Sequence, residues 1–177
     1  MTSLAQQMAA YGRYHRDRRN RLTHFFGVPL IIFAILIPMS MARLSAGGIE
    51  VTLADIFILA ALAYYATLDA TLAAALAVVV TPMLWIAGRL AGQDAMTASE
   101  IFIACFILGW AIQLLGHRFE GNKPALLDNI FQIFAAPIFL TGEAAFALGL
   151  KRDLRREIER QIIATDAQKS SGSPPHG

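Results

Sequence analysis

Cysteine is almost absent. Cys105 is the only one among 177 residues, which excludes an intramolecular disulfide and a thiolate cluster for zinc. Any metal held by the chain must be held through nitrogen and oxygen. Charge is scarce too: 16% of residues are charged against 56% hydrophobic, and the mean hydropathy of +0.51 lies above that of a usual water-soluble domain. The composition points to an integral membrane protein of one domain. A net charge of only +2 gives no strong field for nucleic acid, and no nucleic-acid partner is expected. The basic residues cluster instead beside apolar runs, Arg13, Arg16, Arg18, Arg19 and Arg21 before the first and Lys151, Arg152, Arg155, Arg156 and Arg160 after the last. There they speak of topology and lipid headgroups. A cleavable signal peptide is not expected, because the first apolar run is longer than the roughly 7–15 residues of a signal core.

Residues 1–21 are polar and helix-compatible, and the candidate spans that follow are 22–41, 53–68, 70–90 and 99–116. Pro29 and Pro38 lie inside the first and should kink it. The segment ARLSAGGIEVT reads as a loop. Asp69 is the only charge between Asp55 and Arg89, so that long run should fold as two helices meeting near it. Ser99 is the expected N-cap of the fourth span, with Glu100 in its first turn. The region 125–150 carries Asp128, Asn129, Gln132, Pro137, Gly142 and Glu143, too many polar groups for a lipid-facing helix. It reads as a re-entrant or interfacial hairpin broken at Pro137. Residues 151–163 form a charged helix with a narrow stripe of Leu154, Ile158 and Ile162 that could lie on the membrane.

The expected fold is an all-α, polytopic transmembrane helix bundle. It has about four spans, a broken or re-entrant helix pair and a C-terminal amphipathic helix, in a single domain over 1–163 followed by a disordered tail over 164–177, where His176 is incidental. The leading arginines place the N-terminus in the cytoplasm, and four reversals bring back the Asp69 turn, the 117–124 loop and the C-terminus. In a bacterium this would be the inner membrane.

The unusual polar groups converge on that one side: His15, Asn20 and His24, then Asp69, then Gln113, His117 and Glu120. Positions 113, 117 and 120 share one helical face. His15 and His24 do not, because nine residues turn an ideal helix by about 900° and leave the rings opposed. Both can reach one ion only if the helix breaks between them, and Asn20, a favoured N-cap, is the expected point. Each residue also has a plainer reading. An interfacial histidine is usually an amphipathic surface residue, Asp69 could merely cap a helix, and Glu120 could pair with Arg118 or Lys123. Tyr11, Tyr14, Tyr64 and Tyr65 read as interfacial belt aromatics. Gly27 and Gly116 read as sites of close packing.

Three motifs carry a resemblance. They are Tyr11-x3-His15-x4-Asn20-x3-His24-x2-Gly27-x-Pro29, then Tyr65-x2-Leu68-Asp69, then Gln113-x2-Gly116-His117-x2-Glu120-x3-Pro124-Ala125-Leu126 followed by Leu127-Asp128-Asn129. Over about residues 8–150 the chain resembles the 2-hydroxy fatty acid dioxygenases, iron-dependent membrane enzymes of fatty acid α-oxidation. The resemblance implies Fe(II) as cofactor, a 2-hydroxy fatty acid and O2 as partners beside membrane lipid, and shortening of the acid by one carbon. It implies His15, His24 and His117 as iron ligands, with Glu120 and Asp69 either as further ligands or as groups that orient an imidazole or accept a proton; Asn20 and Gln113 complete the candidate catalytic set. Arg18, Arg19 or Arg118 could steer the carboxylate. The chain departs from the pattern at Arg16, where a further histidine is expected directly after His15, and at Ala70 and Thr71, where proline and leucine are expected after Asp69.

Other classes use a similar composition. A small membrane transporter predicts ionisable groups deep inside spans and internal repetition; here the groups cluster at one face and no repeat is visible. A metal- or lipid-binding scaffold without turnover predicts a coordinatively closed ion. A metal-dependent hydrolase would use the same ligand types with zinc.

Overall fold

Apolar runs fold here almost entirely as helices, and their ends are set by a few polar caps. The computed structural model describes residues 3–15, 17–120 and 132–171. In chain order these are α1 (Leu4–Tyr14), α2 (Arg18–Met41), β1 (Arg43–Ala46), β2 (Ile49–Thr52), α3 (Leu53–Leu68), α4 (Ala70–Ala91), α5 (Ala95–Glu120), α6 (Gln132–Ala147) and α7 (Arg152–Ser171). The expected all-α bundle is the fold observed. Three helices, α2, α4 and α5, are long and apolar enough to cross a membrane, and the count rises to four if the bent pair α6 and α7 is one span. α3, expected as a span, has 16 residues, about 24 Å of helix against a hydrocarbon core of about 30 Å.

Several boundaries differ from expectation for identifiable reasons. The break between His15 and His24 falls between α1 and α2, and Asp17 rather than Asn20 is the N-cap, its carboxylate accepting from the Arg19 amide at 2.7 Å. α5 starts at Ala95, ahead of Ser99, because Asp94 accepts from the Thr97 amide at 2.9 Å; the Ser99 hydroxyl instead donates back to the Ala95 carbonyl at 2.7 Å. The expected loop over 42–52 is a β-hairpin whose two turn residues, Gly47 and Gly48, both have positive φ (61° and 82°), as a type I′ turn requires.

The broken pair is present, but its break is not at Pro137, which lies inside α6. It is at the turn after Ala147, where α6 and α7 meet at 117°. Gly149 (φ 74°) makes this turn: its amide donates to the Phe146 carbonyl and that of Leu150 to Ala145, the two hydrogen bonds of a Schellman ending. α7 continues as helix to Ser171, past Ile163, with the Thr165 hydroxyl donating to the Gln161 carbonyl at 2.8 Å. Asp128, Asn129 and the tail 172–177 lie outside the described residues.

The core is arranged around α2. Its most extensive partner is α5, and glycines permit the approach: a Cβ on Gly109 would stand 2.7 Å from Ile31 Cγ1, and one on Gly27 3.1 Å from the Gly109 carbonyl oxygen. A Cβ on Gly116 would collide with Thr23 Oγ1 and reach within 2.5 Å of Asn20 Oδ1. α3 and α4 also pack on α2 and are joined at Asp69. α1 is amphipathic and lies against α6 and α7, with Met8 1% exposed. The α7 stripe thus serves α1: Ile158 is buried, and Leu154 and Ile162 pack against the core. Two ion pairs tie the last helices to the bundle, Arg21 with Glu143 at 3.3 Å and Lys151 with Asp69 at 2.6 Å.

Candidate metal centre

His15 is the C-cap of α1, His24 lies two turns into α2, and His117 lies one turn before the end of α5. The break after Tyr14 turns the His15 ring back towards α2, and the glycine contacts bring α5 close enough for His117 to join. His15 and His24 are 3% and 4% exposed, and His117 is partly buried. Ring centroids are 4.5 Å apart for His15 and His24, 5.1 Å for His24 and His117, and 5.6 Å for His15 and His117.

The backbone selects the tautomers of the first two rings. Nδ1 of His15 lies 2.9 Å from the Tyr11 carbonyl oxygen, and Nδ1 of His24 lies 2.8 Å from that of Asn20. A carbonyl only accepts, so Nδ1 carries the proton in each. Each neutral ring then aims an Nε2 lone pair at the other across 3.1 Å, a repulsive arrangement unless a cation is shared. At metal–nitrogen distances of about 2.1 Å, two imidazole nitrogens on one ion stand about 3.0–3.4 Å apart at right to tetrahedral angles. The observed separation fits. One ligand atom from each of the three histidines lies within 4.8 Å of the others, so the residues present suit a metal ion.

Tyr11 supports this arrangement. Its ring stacks on His15 at 4.0 Å between centroids and 7° between planes, with Phe139 at 4.5 Å behind it. Burial pushes its phenol well above the ordinary value, so it stays protonated. The expectation of a belt aromatic does not hold for Tyr11, or for Tyr65, whose hydroxyl donates to the Phe134 carbonyl at 2.7 Å; both are 4% exposed. Tyr64, at 47% exposed, fits it, and the Tyr14 side chain lies outside the described residues. The i, i+4 spacing of Tyr11 and His15 was the available signal for the stack.

The imidazoles close one end of a cavity of about 320 Å³ between α2, α3, α4, α5 and α6. Tyr11, Tyr65 and Gln113 share that polar end, and the rest of the wall is aliphatic and aromatic. Gln113 is 7% exposed and packs over Gly27, and its Oε1 has no hydrogen-bond partner among the described residues.

The remaining expected site residues are placed differently. Asn20 is fully buried, but its observed service is through its carbonyl, which holds His24 and accepts from Thr23 Oγ1 at 2.7 Å. Asp69 is not among the residues lining the cavity. It caps α4 by accepting from the amides of Thr71 and Leu72 at 3.0 Å, and it binds Lys151 through both oxygens. Burial would raise its pKa, but the Lys151 ammonium and those amides outweigh this and hold the carboxyl below its ordinary range. The Glu120 side chain lies outside the described residues. Arg19 pairs with Asp17 at 3.2 Å and lies over the Phe119 ring at 4.7 Å.

Comparison with known proteins adds an independent line. The chain is 27% identical over 165 residues to the 2-hydroxy-palmitic acid dioxygenase MPO1 of Saccharomyces cerevisiae, covering 92% of this chain and 91% of that protein. No solved structure matches. The family described as 2-hydroxy-palmitic acid dioxygenase Mpo1-like matches residues 1–148, most of the chain and all of the candidate centre. The chain belongs to the Mpo1-like family.

Proposed function

We propose that this protein is an Fe(II)-dependent dioxygenase of the membrane that shortens 2-hydroxy fatty acids by one carbon. The observation that carries the reading is the placement of three converging imidazoles at the polar end of an otherwise apolar cavity. The name of the yeast relative supports the substrate class. His15, His24 and His117 would hold the iron, and three protein ligands leave positions open for substrate oxygen atoms and O2. Bound there, Fe(II) would supply the activation of O2.

The chain's own residues do the rest. The carbonyls of Tyr11 and Asn20 keep Nδ1 of His15 and His24 protonated, so that Nε2 faces the centre. Gln113 offers an amide beside the head of the substrate, where its Oε1 would accept from the 2-hydroxyl or its Nε2 would donate to the carboxylate. The aliphatic wall takes the tail out of water at about 0.8 kcal/mol per methylene. The overall reaction balances with O2 as the sole oxidant: RCH(OH)COOH and O2 give RCOOH, CO2 and water. O2 takes up four electrons, one pair from the C1–C2 bond and one pair from the carbinol C–H, and its two oxygen atoms end in the products.

We place the protein in a membrane, with the centre and both termini towards the cytoplasm. The apolar lengths of α2, α4 and α5 and the arginines beside α2 support that reading. Glu120, three residues after His117 in sequence, remains the proposed proton acceptor, and Asp69 is the group that fixes the α3–α4 turn. The test is to purify the protein in detergent without oxygen, load Fe(II), add a 2-hydroxy fatty acid and admit O2. The expected product is the acid one carbon shorter with equimolar CO2; loaded protein that consumes neither substrate nor O2 overturns the reading.

A further inference from the structure

The lining of the cavity ends at a common depth on its long walls. Down α2 its wall ends at Ile35, eleven residues beyond His24, and down α5 it ends at Phe106, eleven residues before His117. Eleven residues of helix span about 16 Å. The other two long walls agree: lining stops on α3 at Phe57 and on α4 at Val80, twelve and eleven residues from the Asp69 turn at the same end of the bundle. An extended hydrocarbon with tetrahedral bonds of about 1.5 Å advances about 1.25 Å per carbon, so this depth takes about 13 carbons.

Resting on the function proposed above, we propose that this wall measures the acyl chain. The first 13 or so carbons lie inside the protein, Ala61 and Val80 set the usable depth, and longer chains leave past Ile35, which is 38% exposed. Ala61 lines the wall one helical turn above Phe57 and is the small residue at which bulk would shorten the space. A phenylalanine there closes the last 6 Å or so, about five carbons, whereas one at Val80 acts only where the lining ends.

Trp110 allows depth to be read directly, because it lines the cavity seven residues, or about 10 Å, before His117. Trp85 is the second of two tryptophans and is 67% exposed, so Trp85→Phe leaves Trp110 as the sole reporter. The experiment titrates that protein, metal-free and in detergent, with sixteen-carbon fatty acids brominated near carbon 8 or at the terminal carbons. Expected is saturable quenching that is stronger for the mid-chain bromine. Ala61→Phe should weaken binding of the sixteen-carbon acid at least about tenfold while an eight-carbon acid is held as before, and Val80→Phe should do less.

Terminal bromine quenching as well as the mid-chain one, or a length dependence untouched by Ala61→Phe, overturns the proposal. Ala61→Leu serves where thermal melting shows that the phenylalanine variant does not fold, with a smaller loss expected in the same direction. Because the readout is binding without metal or O2, absence of turnover in the wild type would sink the proposed reaction while leaving this measurement decisive. Turnover with no length dependence would do the reverse.

Discussion

At residue 116 there is no room for a methyl group: a Cβ would meet Thr23 and Asn20, and Asn20 is the residue whose carbonyl holds His24. Gly116→Ala should therefore cost about 1–3 kcal/mol through overpacking and weaken metal binding by displacing His117 from His24. Gly88→Ala is the matched control. Nothing lies within 4 Å of a Cβ there, so the substitution should be neutral or stabilise by up to about 1 kcal/mol through helix propensity. Thermal melting and metal titration of the pair check both statements. At residue 11, Tyr11→Phe should keep the stack on His15 and the metal affinity, whereas Tyr11→Ala should lose both and cost about 3–5 kcal/mol. That the three histidines would meet was legible from the topology, which returns them to one side of the bundle. The stack was not, since a tyrosine at the mouth of a span is equally at home in an interfacial belt, and only the packing of α1 on α6 decides between them.

Among the elements, the α3–α4 turn and the α6–α7 turn are held to each other by Asp69 and Lys151. Asp69→Asn should lower stability at neutral pH by about 1–2 kcal/mol, from a weakened cap and a partly exposed ion pair. The folded pKa of Asp69 lies below its ordinary 3.8. The stabilisation is therefore full above pH 3.8, fades as pH falls through the lower folded value, and should vanish from the difference between wild-type and variant melting curves there. Gly149→Ala, which puts a side chain at φ 74°, should cost about 1 kcal/mol or more and loosen α7 from α1. Helix existence was readable from the length of the apolar runs. Helix starts were less so, because Asp17 and Asn20, or Asp94 and Ser99, are rival caps of equal chemistry, and the neighbouring fold chooses between them. The hairpin over 43–52 was hidden because adjacent glycines suit a loop and a type I′ turn equally.

For the whole molecule, the parity of helices was the informative quantity. Chain reversals at 42–52, Asp69 and 92–94 return the start of α2 and the end of α5 to one end of the bundle, and this alone joins residues ninety-three positions apart, His24 and His117. Which polar groups face the cavity was not legible, because that depends on helix rotation: Gln113 faces it and Asp69 does not. The account rests on three imidazoles holding one ion, and bound metal is its most direct measure. Protein isolated without oxygen and loaded with Fe(II) should carry close to one iron per chain. His15→Ala, His24→Ala and His117→Ala should each lose that iron while melting cooperatively in detergent as the wild type does. Full iron retained in all three folded variants would contradict the account.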